Sequence, residues 1–526
     1  MINMIPNYNF KHNLRENWDL LAVILIYFLL GFFLFKYYLY ITGVDGICYI
    51  SIAQKYATGD FSNAINGYWG PLFSWLLVPF LVKGFTPLFS LISAKTLSLI
   101  IGFTTLIGLR WLSHRVEIDE TIRKLFVFAL IIPILCFAFT ELTADLLMTC
   151  SLVFCLVFLL DPNYPNNYWN GLICGFTGTL AYFSKSFGFP FFLILFVLFS
   201  LFYYFKKFKS DKRVIKNLIL GLTVFLLLSG SWILILHEKY GEFTIGTSGT
   251  YNYNALGPDV QLQHPMNKFG VIKPPNDKAI SGWEDPSYVK LRSWSPFESW
   301  SSFQYQLKLI GENILGFITL MFWFSPIMLP VLLWGFIAYL KTSDKQFKWG
   351  ILSILVTISL FIMAYLPFFI QARYFYLVYF LSFILGVYLL NEIIQRKNFK
   401  NHRKNFLLFI FFFLFVVSPF ITLSYNANSY GGIYELSEIL RNDYHVQGNI
   451  ASDSEALTSF YMSYLLDSSY AGAIDTNTND LDLKLETEGV DYYLVWDTNG
   501  NVQLGSYTEI KHIEGMYPRV FKKNDQ

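Results

Sequence analysis

An α-helical polytopic membrane protein with a small carboxyl-terminal α/β domain is the fold class this sequence predicts, on three observations. Of 526 residues, 54% are hydrophobic and only 14% charged, which is too little polar surface for a soluble globule. Apolar runs of about 18 residues or more, each long enough to cross a hydrocarbon core of about 30 Å as a helix, recur eleven times along the chain. Beyond residue 425 the composition turns abruptly polar and acidic.

The runs lie at about 20–40, 89–112, 125–140, 143–160, 169–185, 187–205, 217–236, 314–340, 350–370, 374–394 and 405–425, the third to fifth being short. Lys and Arg favour cytoplasmic connections, and they set the orientation. Lys11 and Arg15 precede the first run. Four cations follow the second (Arg110 to Lys124), six the sixth (Lys206 to Lys216), three the eighth (Lys341, Lys345, Lys348) and five the tenth (Arg396 to Lys404). With the amino terminus cytoplasmic, these connections are all cytoplasmic and the tail is extracytoplasmic, as befits an integral, multi-pass protein of the cell membrane. Residues 1–19 are polar and offer no small-residue cleavage site, so the first span is expected to be retained.

Residues 1–425 thus form a transmembrane domain with two long outer loops. The first, about 41–88, mixes apolar and polar patches ("YISIAQKYA", "PLFSWLLVPFL") that suit short helices lying in the interface plane. The second, about 237–306, is rich in Gly, Pro, Asn and Trp. Residues 426–526 carry sixteen acidic and six basic side chains; "GIYELSEILRNDY", "SEALTSFYMSYLL" and "NDLDLKLETEG" have helical periodicity, while "GNIASD", "DYYLVWD" and "PRVFKK" read as strands. The five cysteines give no disulfide framework; Cys136, Cys150, Cys155 and Cys174 fall inside apolar runs, where a thiol is a small hydrophobe.

The chemistry is expected at the outer face. A charge within a span costs about 2.5–3.5 kcal/mol at mid-depth, so charges near the membrane mark function. Asp45 follows the first span in "GVDG"; Glu141 and Asp145 fall at the turn between spans three and four; Lys185 lies between spans five and six; Arg373 lies between spans nine and ten; Lys95 lies in the outer part of span two. All reach the same leaflet in the topology above. Each has a plain structural explanation, since Asp forms turns and Lys and Arg snorkel to headgroups. Together they describe acid and cation at headgroup depth, where a lipid-linked phosphosugar presents its phosphate. Lys and Arg hold such an anion as a leaving group, and a carboxylate accepts the proton of an incoming hydroxyl. Asp45 is the best placed base; Lys185, Arg373 and Lys95 are the phosphate-binding candidates, supported by Glu141, Asp145, Tyr49, Tyr68, Trp69 and Tyr374.

These residues also resemble a family. "GVDGICYISIAQKYATGDFSNAINGYWGPLFSWLL" is similar to the first extracytoplasmic loop of glycosyltransferase family 39, the protein O-mannosyltransferase and aminoarabinose transferase group, which has the GT-C fold. The likeness rests on an Asp soon after span one, an element at Gly70, Pro71, Leu72 and Phe73, the acidic start of span four at Asp145, the Lys185 before span six and Arg373–Tyr374 opening span ten. The eleven-span layout matches as well. The resemblance implies inverting transfer of a sugar from a polyprenyl phosphate to a hydroxyl or amine of a glycan, lipid or protein acceptor, with Asp45 as base and Lys185 and Arg373 on the phosphate. The mannosyltransferases carry an Asp-Glu pair where Gly46 follows Asp45 here, which sets this chain apart from the protein-mannosylating members.

Some relatives bind a divalent ion, and His264 and Glu284 are the outer-side candidates for a metal, although no ligand spacing is present. No nucleic-acid partner is expected. The alternative class is a transporter of a lipid-linked or anionic substrate, which would place its ionisable residues near mid-membrane.

Overall fold

Long apolar sequence becomes long helix. A computed structural model describes residues 18–207, 210–258, 270–397, 399–497, 502, 504–510 and 518–524. Among them nine helices are long and apolar enough to cross a bilayer. The spanning elements used below are α1 (Trp18–Tyr38), α4 (Pro87–Arg115), α5 (Glu120–Thr140), α8 (Gly188–Lys207), α9 (Lys212–Tyr240), α10 (Trp300–Phe324), α12 (Lys345–Tyr365), α13 (Tyr376–Lys397) and α14 (Asn401–Asn426). Between α1 and α4 lie α2 (Gly43–Ala57) and α3 (Pro71–Leu81), the short helices expected of the first loop.

The fourth and fifth expected spans are α6 (Asp145–Leu159) and α7 (Tyr168–Ser184), of 15 and 17 residues. Their shortness is compensated by close packing. Gly171 and Gly175 of α7 lie on the backbone of α9, where a Cβ would come within 2.4 Å of the Asn217 carbonyl oxygen and 2.1 Å of that of Gly221. Small residues four apart let two helix backbones approach in this way.

The eighth span differs from expectation. Instead of one run over 314–340, the chain breaks after Phe324 and resumes as α11 (Met328–Lys341). Ser325 stands at the break, and its hydroxyl donates to the Leu414 carbonyl of α14 at 2.9 Å, which satisfies a polar group where the helix ladder is interrupted.

The two ends of the bundle differ in charge. Arg115, Lys206 and Lys345, which stand at the ends of α4, α8 and the start of α12, line one cavity, and Arg396 of α13 lies 5.9 Å from the Phe347 ring. The basic connections therefore share an end. The acid-and-cation candidates lie at the other.

The tail forms α15 (Gly431–Asn442), then β1 (Asn449–Ser452), α16 (Ala456–Leu465), β2 (Ser469–Ala473), α17 (Leu481–Thr487), β3 (Tyr492–Val495), β4 (Tyr507–Glu509) and β5 (Arg519–Lys523). The sheet order is β2-β1-β3-β5-β4; β1 runs parallel to β2 and β3, and β5 antiparallel to β3 and β4. The apolar run "YYLV" fits β3, buried on both faces: Leu494 joins Ile450, Met462 and Val520, while Tyr493 joins Ala471, Leu485 and Phe521. The sequence expectation missed β2 and β4. β2 reads "SYAGA", with Gly472 at φ 133° beside a register shift in β1, and β4 has three residues.

This unit rests on the membrane part. Tyr434 stacks on Tyr40 at 4.3 Å, and the Tyr464 hydroxyl donates to the Pro87 carbonyl at 3.3 Å. The outer edge of β2 is covered by the second loop: Tyr470 N–H donates to the Ile280 carbonyl at 2.7 Å and Ile272 N–H to the Ala471 carbonyl at 2.9 Å. An open sheet edge is a template for unwanted pairing, and here the chain's own loop occupies it.

Candidate active site

Four connections at the less basic end of the bundle bring together residues far apart in sequence. Asp45 sits in the first turn of α2. That turn lies against the link between α5 and α6, because a Cβ on Gly46 would come within 2.8 Å of the Leu142 carbonyl oxygen. Only glycine permits this approach, which sets Asp45 beside Glu141 and Asp145. In the same way Gly70, one residue before α3, rests on the end of α7, where a Cβ would be 2.2 Å from the Ser184 carbonyl oxygen. The aromatic element of the first loop is thus fixed next to Lys185. Arg373 enters from the 3-10 turn Ala372–Phe375 that leads into α13.

Arg373 is the hub. Its Nη2 is 2.5 Å from Asp45 Oδ2, its Nη1 3.9 Å from Glu141 Oε2 and its Nε 3.9 Å from Asp145 Oδ2, while Nε donates to Gln371 Oε1 at 2.8 Å. Asp145, only 1% exposed, accepts from Lys185 Nζ at 2.7 Å and from the Thr143 hydroxyl at 2.8 Å. Lys185 Nζ also lies 4.2 Å from the centre of the Tyr374 ring, which stacks on Tyr365. Burial pulls the Lys185 ammonium below its ordinary range, opposed by Asp145; burial raises the Glu141 carboxyl, opposed by Arg373. Three carboxylates thus share two cations. A further anion enters such a cluster by taking a cation from one of its carboxylates.

The aromatic candidates surround the cluster. Tyr68 donates from its hydroxyl to Asn252 Oδ1 at 2.9 Å and meets the Trp69 ring edge-on at 4.8 Å; Trp69 Nε1 donates to the Trp283 carbonyl at 3.3 Å. Tyr49 is buried against Trp69 and Phe73.

Lys95 stands apart from Lys185 and Arg373: it is 0% exposed, and its Nζ donates to the Phe139 carbonyl at 2.6 Å inside the bundle, from where its charge acts on Glu141. One expectation is corrected. Glu284 does not fit a metal site. Its carboxylate pairs with Lys55 and accepts from the Ser51 hydroxyl at 2.7 Å and the Ile280 N–H at 3.2 Å, which occupies it with donors. His264 lies outside the described residues, and among those residues no three His, Cys, Asp or Glu side chains stand ready to hold an ion.

The buried Lys55–Glu284 pair was missed by sequence reasoning. It joins the first loop to the second, together with Asn66, whose amide donates to the Glu284 carbonyl at 2.7 Å and whose Oδ1 receives the N–H groups of Tyr68 and Trp69. The one available signal was a lysine amid the apolar residues of "YISIAQKYA"; a partner 229 positions away leaves no local trace.

No protein-family model matches the sequence, and no curated protein matches it. Solved structures do. The oligosaccharyltransferase of Archaeoglobus fulgidus, tethered by a disulfide bond to an acceptor peptide containing the NVT sequon, is 10% identical, with a TM-score of 0.51 over 91% of this chain and 69% of that one. Its apo form is 12% identical, with the same TM-score over 93% and 70%. ArnT from Cupriavidus metallidurans bound to undecaprenyl phosphate aligns with 96% of this chain and 98% of its own at 12% identity and a TM-score of 0.49. At such identities the likeness to the oligosaccharyltransferase speaks for the fold, and the GT-C fold expected from the sequence is the one observed.

Proposed function

We propose that the chain is a membrane glycosyltransferase that moves a sugar from a polyprenyl phosphate donor to an acceptor hydroxyl or amine at the outer face of the cell membrane, with inversion. The carrying observation is the single ion-pair cluster of Asp45, Arg373, Asp145 and Lys185 at the end of a bundle of apolar helices, the depth at which a lipid headgroup lies. Its GT-C architecture is shared with an oligosaccharyltransferase, which supports the transferase class. The basic opposite end supports the orientation, with the amino terminus cytoplasmic and the tail outside.

The geometry supports a division of labour. The donor phosphate takes Arg373 from Asp45 and shares Lys185 with Asp145, whose second oxygen is held by Thr143. Asp45, released, accepts the acceptor proton as the acceptor oxygen or nitrogen bonds to the anomeric carbon. The bond from that carbon to the phosphate oxygen breaks, and the charge that develops on the leaving phosphate is stabilised by the two cations. The test is a panel of labelled polyprenyl phosphosugars incubated with the purified protein and candidate acceptors. Consumption of one donor, lost in Arg373→Met, is expected; indifference to every donor overturns the reading.

A further inference from the structure

A cavity left unused by this reaction lies at the opposite end of the bundle. It has a volume of about 530 Å³ and is lined by four cations, Arg115, Lys206, Lys207 and Lys345, against one acid, Glu117. That volume lies within the range of small-ligand sites and exceeds what a lone ion needs. Asp161 neutralises Arg115 at 2.8 Å. Lys206 and Lys345 have no ion-pair partner among the described residues. The wall is aromatic: Trp349 stacks on Phe202 at 4.5 Å, and Lys207 Nζ lies 5.0 Å from the ring centres of both Trp349 and Tyr203.

The backbone is shaped around this cavity. Residues Tyr203–Lys207, which supply two of the cations, leave the α-helical ladder of α8 and form a π-helical turn. Such turns are rare and gather at functional sites. Tyr203 anchors the turn by donating its hydroxyl to the Leu159 carbonyl at 2.6 Å. Lys206 and Lys345 beside an apolar aromatic wall, at the end of membrane helices, match a ligand with an anionic head and a hydrocarbon body.

We propose that this cavity is a second anion site, separate from the transfer centre, which binds a phosphate group at the cytoplasmic interface, as carried by the headgroup of an anionic phospholipid. The purified full chain, stripped of lipid, is titrated with phosphatidylglycerol or phosphatidylcholine and followed by native mass spectrometry; a parallel arm follows thermal stability with inorganic phosphate. Retention of phosphatidylglycerol over phosphatidylcholine by wild type, reduced roughly tenfold or more in Lys206→Gln/Lys345→Gln, supports the site with lipid as its source. Protection by inorganic phosphate alone, lost in the same variant, supports it with the free anion as source. Equal behaviour of wild type and variant towards both overturns it. Both lysines are exposed, and the single Lys206→Gln keeps the comparison available if the double variant is unstable.

Discussion

Replacing Asp45 by Asn separates the two jobs its carboxylate is proposed to do. The side chain keeps its shape, the proton acceptor is lost, and Arg373 loses the negative charge 2.5 Å from its Nη2. Loss of a general base lowers turnover by about 10²- to 10⁴-fold. The freed guanidinium acts in the other direction. A hydrogen bond to a charged group is worth about 1.5–3 kcal/mol. Both partners are about one-sixth exposed (16% and 15%), so the low end applies, which makes phosphate binding about tenfold tighter. Single-turnover transfer with a labelled donor and equilibrium binding of a polyprenyl phosphate measure the two effects on one preparation. Slow transfer with tighter binding is expected. Turnover within about tenfold of wild type refutes Asp45 as base, and weaker phosphate binding refutes the exchange of Arg373 between carboxylate and phosphate.

Gly70→Ala forces a Cβ against the Ser184 backbone and should lower stability by about 1–3 kcal/mol in thermal or denaturant unfolding, whereas Gly84→Ala, whose nearest neighbour lies 3.9 Å away, should cost far less. Lys55→Met and Glu284→Met each strand a buried charge, at about 3–5 kcal/mol, and the double variant should be more stable than either single one in a double-mutant cycle. Lys95→Met keeps the volume of an enclosed side chain and should leave donor KM within about threefold of wild type; a large rise would return Lys95 to the phosphate site.

The fold was legible because apolar length is a local property. Runs at α1, α4 or α13 declare themselves over some twenty residues, and the periodicity of α15 and α16 does so over a dozen. What escaped depends on partners. The break at Ser325 had one local sign, Pro326, which disfavours helix at the residue before it, but the Leu414 carbonyl that receives the serine hydroxyl is visible only in the structure. β2 was hidden because its pairing with β1 and the second loop, not its composition, makes it a strand. At the candidate site, Asp45, Glu141, Asp145, Lys185 and Arg373 were found by a depth argument, charges at one leaflet, and the structure brings them into one cluster. The same argument drew in Lys95, since depth along a helix does not reveal which way a side chain turns. Glu284 was misread as a metal candidate because its lysine partner is remote in sequence.

The seam between the second loop and β2 makes a simple trimming of this protein hazardous. Cutting the chain after Asn426 takes away the strand on which residues 272–280 lean, so the segment bearing Glu284 and Asp285 loses its outer brace. An inactive truncation would then report a collapsed loop as readily as a missing recognition module. Swapping tails between proteins carries the same penalty unless both sides of the seam travel together.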